Sequence, residues 1–311
     1  MPTQLPLLNL SRWLTPVLGV LLMLAAMSCD RAKPGTASQP TAAKVDRVVS
    51  LSPAATDLLV AMGAQSKLVA VSNYESLEAV KGLPRAGDYL NIDWEKLVSL
   101  RPQLMVLQID EARLSDATRA RAREMGIELL IVRLNNFTDV IIEAEKLGTA
   151  VGMADESRTL WQSIRQNMDD VRLSTAELPR VRTLVTLDDS GLFLAGRGTF
   201  INDILQAAGG VNVLSAERGD YVTLDEEAVR QLAPDAVIQL MPVKEMSLAL
   251  AQSAKFRERF ADMPAVKSGR VYVYADPRAL TPASNLGAMA KWMGEQLHPD
   301  RDKPSNPSPS R

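Results

Sequence analysis

The sequence of 311 residues holds one cysteine, Cys29, and one histidine, His298. A lone cysteine excludes an internal disulfide framework. The histidine sits in a stretch carrying Pro299, Pro304, Pro307 and Pro309, with no ordered setting for a triad or a general base. One histidine is also too few for a zinc or manganese shell, which takes several His, Asp and Glu ligands. Aromatic residues make up 5 %, and 35 basic against 37 acidic residues give a formal net charge of −2, so no nucleic-acid surface is expected. Gly-x-Ser-x-Gly elbows, phosphate-binding Gly-x-x-x-x-Gly-Lys-Ser/Thr loops and His-Glu-x-x-His pairs are missing too. An enzyme would have to work with carboxylates such as Asp188 and Asp189, and neighbours on a strand point to opposite faces. No enzymatic activity is expected.

The one long apolar run is at the start. Leu14 to Met27, interrupted by Thr15, Pro16 and Gly19, follows Arg12 and ends in Ala25-Ala26-Met27-Ser28-Cys29. That is short for a membrane span and has the shape of a secretory signal with a small-residue cleavage site. The end of the run resembles the lipobox of bacterial lipoproteins, with Ala26 where leucine is usual, which implies a signal peptide over 1–28 and an acylated Cys29. An uncleaved anchor or a plain secreted protein is the other reading of the same residues. Residues 29–44 are rich in Pro, Gly, Ala, Ser and Thr and cannot bury enough surface to fold. As a tether they reach about 50 Å fully extended. Residues 298–311 read as a second disordered tail.

Between the ends the chain repeats itself. Gly87-Asp88-Tyr89, Asp93, Glu95, Leu100 and Pro102 recur as Gly219-Asp220-Tyr221, Asp225, Glu227, Leu232 and Pro234, every pair 132 positions apart. Self-similarity at a fixed long period signals structural duplication. Short apolar strands are expected at Arg47–Leu51, Lys67–Val71, Leu104–Gln108, Glu128–Val132, Val181–Leu187, Ala236–Leu240 and Val271–Tyr274. They alternate with helices at Pro53–Met62, Asp93–Leu100, Ala112–Met125, Phe200–Ala208, Leu224–Leu232 and Ala279–Leu297. This alternation predicts two α/β lobes with mostly parallel sheets, over 45–152 and 179–297. Thr138–Val151 reads as a further helix. After it, Ala154–Ala176 runs without proline or glycine, a helix of about 35 Å placed to connect the lobes over 153–178.

Val48–Tyr74 (VVSLSPAATDLLVAMGAQSKLVAVSNY) resembles the opening of the helical-backbone class of periplasmic substrate-binding proteins, which serve ABC importers of cobalamin, ferric siderophores and haem. The likeness continues through GDYLNIDWEKLVSLRPQLMVLQ from Gly87, GRGTFINDILQAAGG from Gly196 and SGRVYVYAD from Ser268. The resemblance implies two α/β lobes joined rigidly by one long helix, with the ligand in the cleft between them. It implies an exposed glutamate on each lobe that docks on arginines of a permease dimer, here Glu95 and Glu227. Without a partner, both would be helix-start charges favoured by the macrodipole by about 0.3–1 kcal/mol.

By the same resemblance an aromatic at the position of Tyr89 lines the cleft, and duplication extends the expectation to Tyr221. Ligands of open α/β sheets sit at the carboxyl ends of strands. That adds Ser52, Asn73, Tyr74, Asp110 and Asp188 as ligand-binding candidates, with Asp88 and Asp220 as turn caps. Arg197, between Gly196 and Gly198, either reaches an anionic ligand group or completes a structural turn. The ligand would be a metal chelate, with no resident cofactor or protein-held metal. A triply anionic siderophore would call for converging arginines among Arg85, Arg113, Arg133, Arg197 and Arg278. Modestly polar, aromatic strand ends favour a cobalamin-type corrinoid. Haem through tyrosine, a ferric siderophore, or an adaptor lipoprotein with no ligand are the other readings. The expected protein is a monomer held at a membrane outside the cytoplasm through lipid on Cys29.

Overall fold

A computed structural model describes residues 45–214 and 219–299. The signal segment, Cys29, the tether and residues 300–311 lie outside the described residues. Two sheets organise the rest. The first is wholly parallel in the order β2-β1-β3-β4, built from β1 (Val48–Ser50), β2 (Leu68–Val71), β3 (Leu104–Gln108) and β4 (Glu128–Val132). Between these strands lie α1 (Pro53–Ala61), α2 (Trp94–Leu100) and α3 (Asp116–Glu124). Ser52 caps α1 by accepting from the Ala55 N–H, and Pro53 takes the first helical position, where its missing donor costs nothing.

The second sheet copies this order and adds to it. β5 (Val181–Thr186) pairs in parallel with β7 (Gly210–Asn212) and β9 (Ala236–Met241), and β10 (Val271–Ala275) pairs with β9. The series β7-β5-β9-β10 therefore matches β2-β1-β3-β4. β6 (Phe193–Ala195) and β8 (Tyr221–Thr223) join as antiparallel strands on the β5 edge, an addition without a counterpart in the first sheet. The second lobe also carries α6 (Phe200–Ala207), α7 (Glu226–Gln231), α8 (Met246–Arg259), the short α9 (Pro264–Lys267) and α10 (Leu286–Leu297). The helices expected over Leu224–Leu232 and Ala279–Leu297 are shorter than the apolar pattern suggests. Residues 221–223 pair as β8, and Asp276 turns the chain at 276–279 by accepting from the Arg278 N–H.

Between the sheets lie α4 (Phe137–Ala150) and α5 (Ala154–Ser174). The 21 residues of α5 make a rod of about 32 Å. Ser157, Ile164, Met168 and Val171 form its buried stripe. Gly148 lets α4 approach closely, since a Cβ there would lie 2.1 Å from the Ser157 Cβ.

Strand alternation sorts the core into layers. Val48, Leu104, Val106, Val185, Ile238 and Leu240 face one cluster, which also takes in α1, α4, α5, α6 and α10. Val49, Met105 and Leu107 face an outer layer on the first lobe, and Leu184 and Val237 face one on the second. The inner cluster runs through both lobes without a break, and the described residues fall in one compact unit. Two α/β lobes are thus welded along a shared core rather than hung on a strand hinge. His298, expected in a disordered tail, belongs to the fold. Its N–H donates to the Gly294 carbonyl, closing α10, and its ring lies against Gly209.

Candidate ligand cleft

The duplicated phrase is duplicated in backbone geometry. Gly87 and Gly219 have φ of 98° and 94°, and Arg101 and Ala233 have φ of 46° and 42°. Those two are the only non-glycine residues of positive φ among the described ones. Each precedes a proline, which bars right-handed helix at that position and ends the helix there. Asp93 and Asp225 cap the two helices through the Lys96 and Ala228 N–H groups, at 3.0 and 2.8 Å. Glu95 and Glu227 therefore take equivalent first-turn positions, and both are exposed. Glu95 has no ion-pair partner among the described residues. Gln231 donates to Glu227 at 3.1 Å, while neighbouring Glu226 pairs with Arg230 and Arg259.

A cavity of about 470 Å³ opens at the carboxyl ends of the first-lobe strands. Ser52 and Pro53 follow β1, Ser72 and Tyr74 follow β2, Gln108 ends β3 with Asp110 and Arg113 beyond it, and Arg133 and Asn135 follow β4. Asp88 and Tyr89 come from the duplicated turn. Tyr74 is 73 % exposed and Tyr89 39 %. The Ser52 hydroxyl is already engaged, accepting from the Ala55 N–H and donating to Gln108 Oε1 at 2.7 Å. Asp88 Oδ1 accepts from the Leu90 and Asn91 N–H groups, so its carboxylate shapes the turn that holds Tyr89.

Three expected ligand contacts have other duties. Asn73 is exposed but does not line the cavity, and its N–H donates to the Gly87 carbonyl at 2.8 Å, tying the β2 loop to the turn. Asp188 spends its carboxylate on its own loop, accepting from Ser190 Oγ and from the Gly191 and Phe193 N–H groups. Arg197 takes the structural one of its two readings. Nε donates to the Leu214 carbonyl at 2.7 Å and Nη2 to the Asn212 carbonyl at 3.3 Å, beside a separate cavity with Arg172 and Arg180. Its flanking glycines make room for the second phrase. A Cβ on Gly196 would lie 1.9 Å from the Gly219 carbonyl oxygen, and one on Gly198 1.8 Å from Asp220 Oδ1.

Tyr221 differs from Tyr89. It lies on β8, 48 % exposed, with its ring centroid 6.2 Å from that of Phe193. Burial around it, with the Asp220 charge as a smaller cause, pushes the phenol up to about 12. Among the five arginines weighed as anion ligands, only Arg113 and Arg133 line the cavity. Arg85 donates to the Ser72 and Glu75 carbonyls, and Arg278 is held by Asp57 and Asp276. Gln108, Ser72 and Asn135 escaped sequence reasoning, although Gln108 closes an otherwise apolar strand. Asp57 escaped it as well, although it is the only charge in the apolar run of α1.

The chain matches the periplasmic binding protein family model over residues 48–277. It is 27 % identical over 265 residues to the uncharacterized ABC transporter substrate-binding lipoprotein YvrC of Bacillus subtilis, covering 83 % of this chain and 81 % of that one. The crystal structure of the vitamin B12-binding protein BtuF of Vibrio cholerae superposes with a TM-score of 0.69 at 21 % identity, covering 83 % of this chain and 99 % of that one. That of the haem-binding protein HutB of Vibrio cholerae gives 0.71 at 22 % identity, over 81 % and 99 %. With the family model spanning both sheets and the helices between them, the chain belongs to the periplasmic binding protein family.

Proposed function

We propose that this protein is the substrate-binding component of an ABC importer and captures a cobalamin-type corrinoid outside the cytoplasm. The observation that carries the ligand class is the charge balance of the first-lobe cavity. Arg113, Arg133, Asp88 and Asp110 all line it, together with Tyr74 and Tyr89. Two cations against two anions suit a ligand of low net charge with a broad apolar face. They suit a triply anionic siderophore poorly. Aromatic contact adds about 0.5–1.5 kcal/mol per ring beyond area burial.

Haem is the second reading, favoured by two arginines on one wall that could meet two propionates. Tyr221 is a poor axial ligand, since coordination needs the phenolate and its phenol is pushed up to about 12. Tyr74, at the cavity edge, is the better candidate for that role. The YvrC and BtuF likenesses support the transport role without naming this chain's ligand.

Glu95 and Glu227 dock on cations of a permease dimer in this reading, one from each lobe. No helix among the described residues is long and apolar enough to cross a membrane. In this reading lipid on Cys29 anchors the protein, which acts as a monomer that binds and releases without chemistry. Calorimetric titration with cyanocobalamin, haemin and a ferric tris-catecholate tests the assignment. Tightest binding of cyanocobalamin is expected. Preference for haemin or the catecholate would overturn the corrinoid, and binding of none would overturn capture itself.

A further inference from the structure

Asp57 is an acid buried in the first lobe whose recorded partners all belong to the second. It lies on α1 at 3 % exposure among the apolar side chains of the shared core. Arg278 Nη1 donates to its Oδ2 at 3.0 Å, and the Ser284 N–H donates to its Oδ1 at 3.0 Å, with Ser284 Oγ donating to the same oxygen. Nothing on its own helix neutralises it. A carboxylate leaves water at high cost unless it is paired and hydrogen-bonded. The segment from Arg278 to Ser284 is what makes burial of this one tolerable. Arg278 is itself held from the other side by Asp276 at 3.5 Å, and Asn285 Nδ2 donates to its carbonyl. The receiving segment is therefore fixed to the end of β10 before it meets α1.

Position turns this contact into more than cohesion. Asp57 lies four residues beyond Pro53 on the same helix, about 6 Å below the cavity wall formed by Ser52 and Pro53. A second tie between the lobes exists at a different place. The Phe200 N–H donates to the Asn135 carbonyl at 2.7 Å and the Phe137 N–H to Asp203 Oδ2 at 2.8 Å, beside cavity-lining Asn135. The shared apolar core holds the lobes together but is non-directional, and the two separated polar ties fix how they sit on it. We propose that Asp57, Arg278 and Ser284 form an interlobe clasp that sets the spacing of the lobes at the ligand cavity. Asp57 is a positioning residue here and does not touch ligand. The clasp is independent of which chelate is carried.

The test is the spread of interlobe distances in the full chain, read by pulsed electron resonance. Spin labels go on cysteines introduced at exposed Arg123 and Lys255, one per lobe, with Cys29→Ser removing the native thiol. Asp57→Asn is nearly isosteric but loses the charge that holds Arg278. It should broaden the distribution about twofold, and Arg278→Gln should do the same. Glu143→Gln is the control for loss of a buried charge, because Glu143 pairs with Lys146 within α4 alone. It should lower the melting temperature and leave the distribution narrow. Wild-type width in both clasp variants would overturn the proposal, as would equal broadening in the control. If either single variant does not fold, Asp57→Asn combined with Arg278→Gln decides, since it removes both charges and leaves neither buried without a partner.

Discussion

The two lobes share a backbone and differ in what surrounds it. Gly87 and Gly219, Asp93 and Asp225, and Arg101 and Ala233 repeat the same torsions and caps 132 residues apart. Tyr89 nevertheless stands in a capped turn at the cavity, while Tyr221 is drawn into β8 against Phe193. The outer faces diverge as well. Val98, three residues after Glu95, is 62 % exposed beside an apolar depression with Leu97, Pro102, Met125 and Ile127. Its counterpart Arg230 pairs with Glu226 and Asp262 and lies over the Phe260 ring. Duplication preserved the positions that hold the backbone, while the surfaces around them diverged.

Docking is where equivalence should matter most. With Glu95→Ala and Glu227→Ala combined, uptake into vesicles carrying the cognate importer should be abolished while ligand affinity stays at wild type. Weakened ligand binding in that double variant would refute the outward role of both residues. Of the single variants, Glu95→Ala should cost more, because Glu95 has no ion-pair partner among the described residues while Glu227 is already shared with Gln231. Equal losses would show that the two faces act alike despite their different neighbours.

The glycines allow a sharper contrast. Alanine at either position is strained by its φ, at about 1–3 kcal/mol. At Gly87 the new Cβ would also lie 2.0 Å from the Asn91 carbonyl oxygen, whereas at Gly219 the nearest contact among the described residues is Val222 at 3.8 Å. Gly87→Ala should therefore cost about 3 kcal/mol or more and Gly219→Ala about 1–2 kcal/mol, measured by urea denaturation. Matching costs would mean that the second turn is tighter than its geometry indicates.

What the sequence discloses follows the same division. Gly87, Asp93 and Pro102 are legible because each does a backbone job that few residue types can do, so residue type reveals geometry. The rod α5 is legible from its unbroken helical run. β6 and β8 are not, since these three-residue strands are set by antiparallel pairing with β5 and with each other rather than by a longer apolar run of their own. Arg197 is ambiguous in sequence because its direction is set by carbonyls 15 and 17 residues away. Asp57 meets Arg278 across 221 residues, a pairing that no local pattern encodes.

For ligand affinity the difference between tyrosines should be moderate. Tyr89→Ala, which removes a cavity-lining ring, should weaken binding of the true ligand about tenfold, and Tyr221→Ala about threefold. Titration calorimetry on both variants reads this directly. A larger loss at Tyr221 would place the second lobe closer to the ligand than Tyr89.

The smallest effect is alkaline. Tyr221 holds its proton to about pH 12, chiefly through burial, while an unfolded tyrosine releases it near 10. The folded state then binds more protons than the unfolded state between those values, so the contribution of Tyr221 to stability is complete below pH 10 and declines as pH rises towards 12. With Tyr221 48 % exposed, solvent screening keeps the contribution small. Ultraviolet titration of Tyr221→Phe against wild type should remove one late-ionising phenol and flatten this decline. If the lost phenol instead titrates near 10, β8 leaves Tyr221 as open to water as an ordinary turn would, and the contrast between the two lobes narrows to the cavity itself.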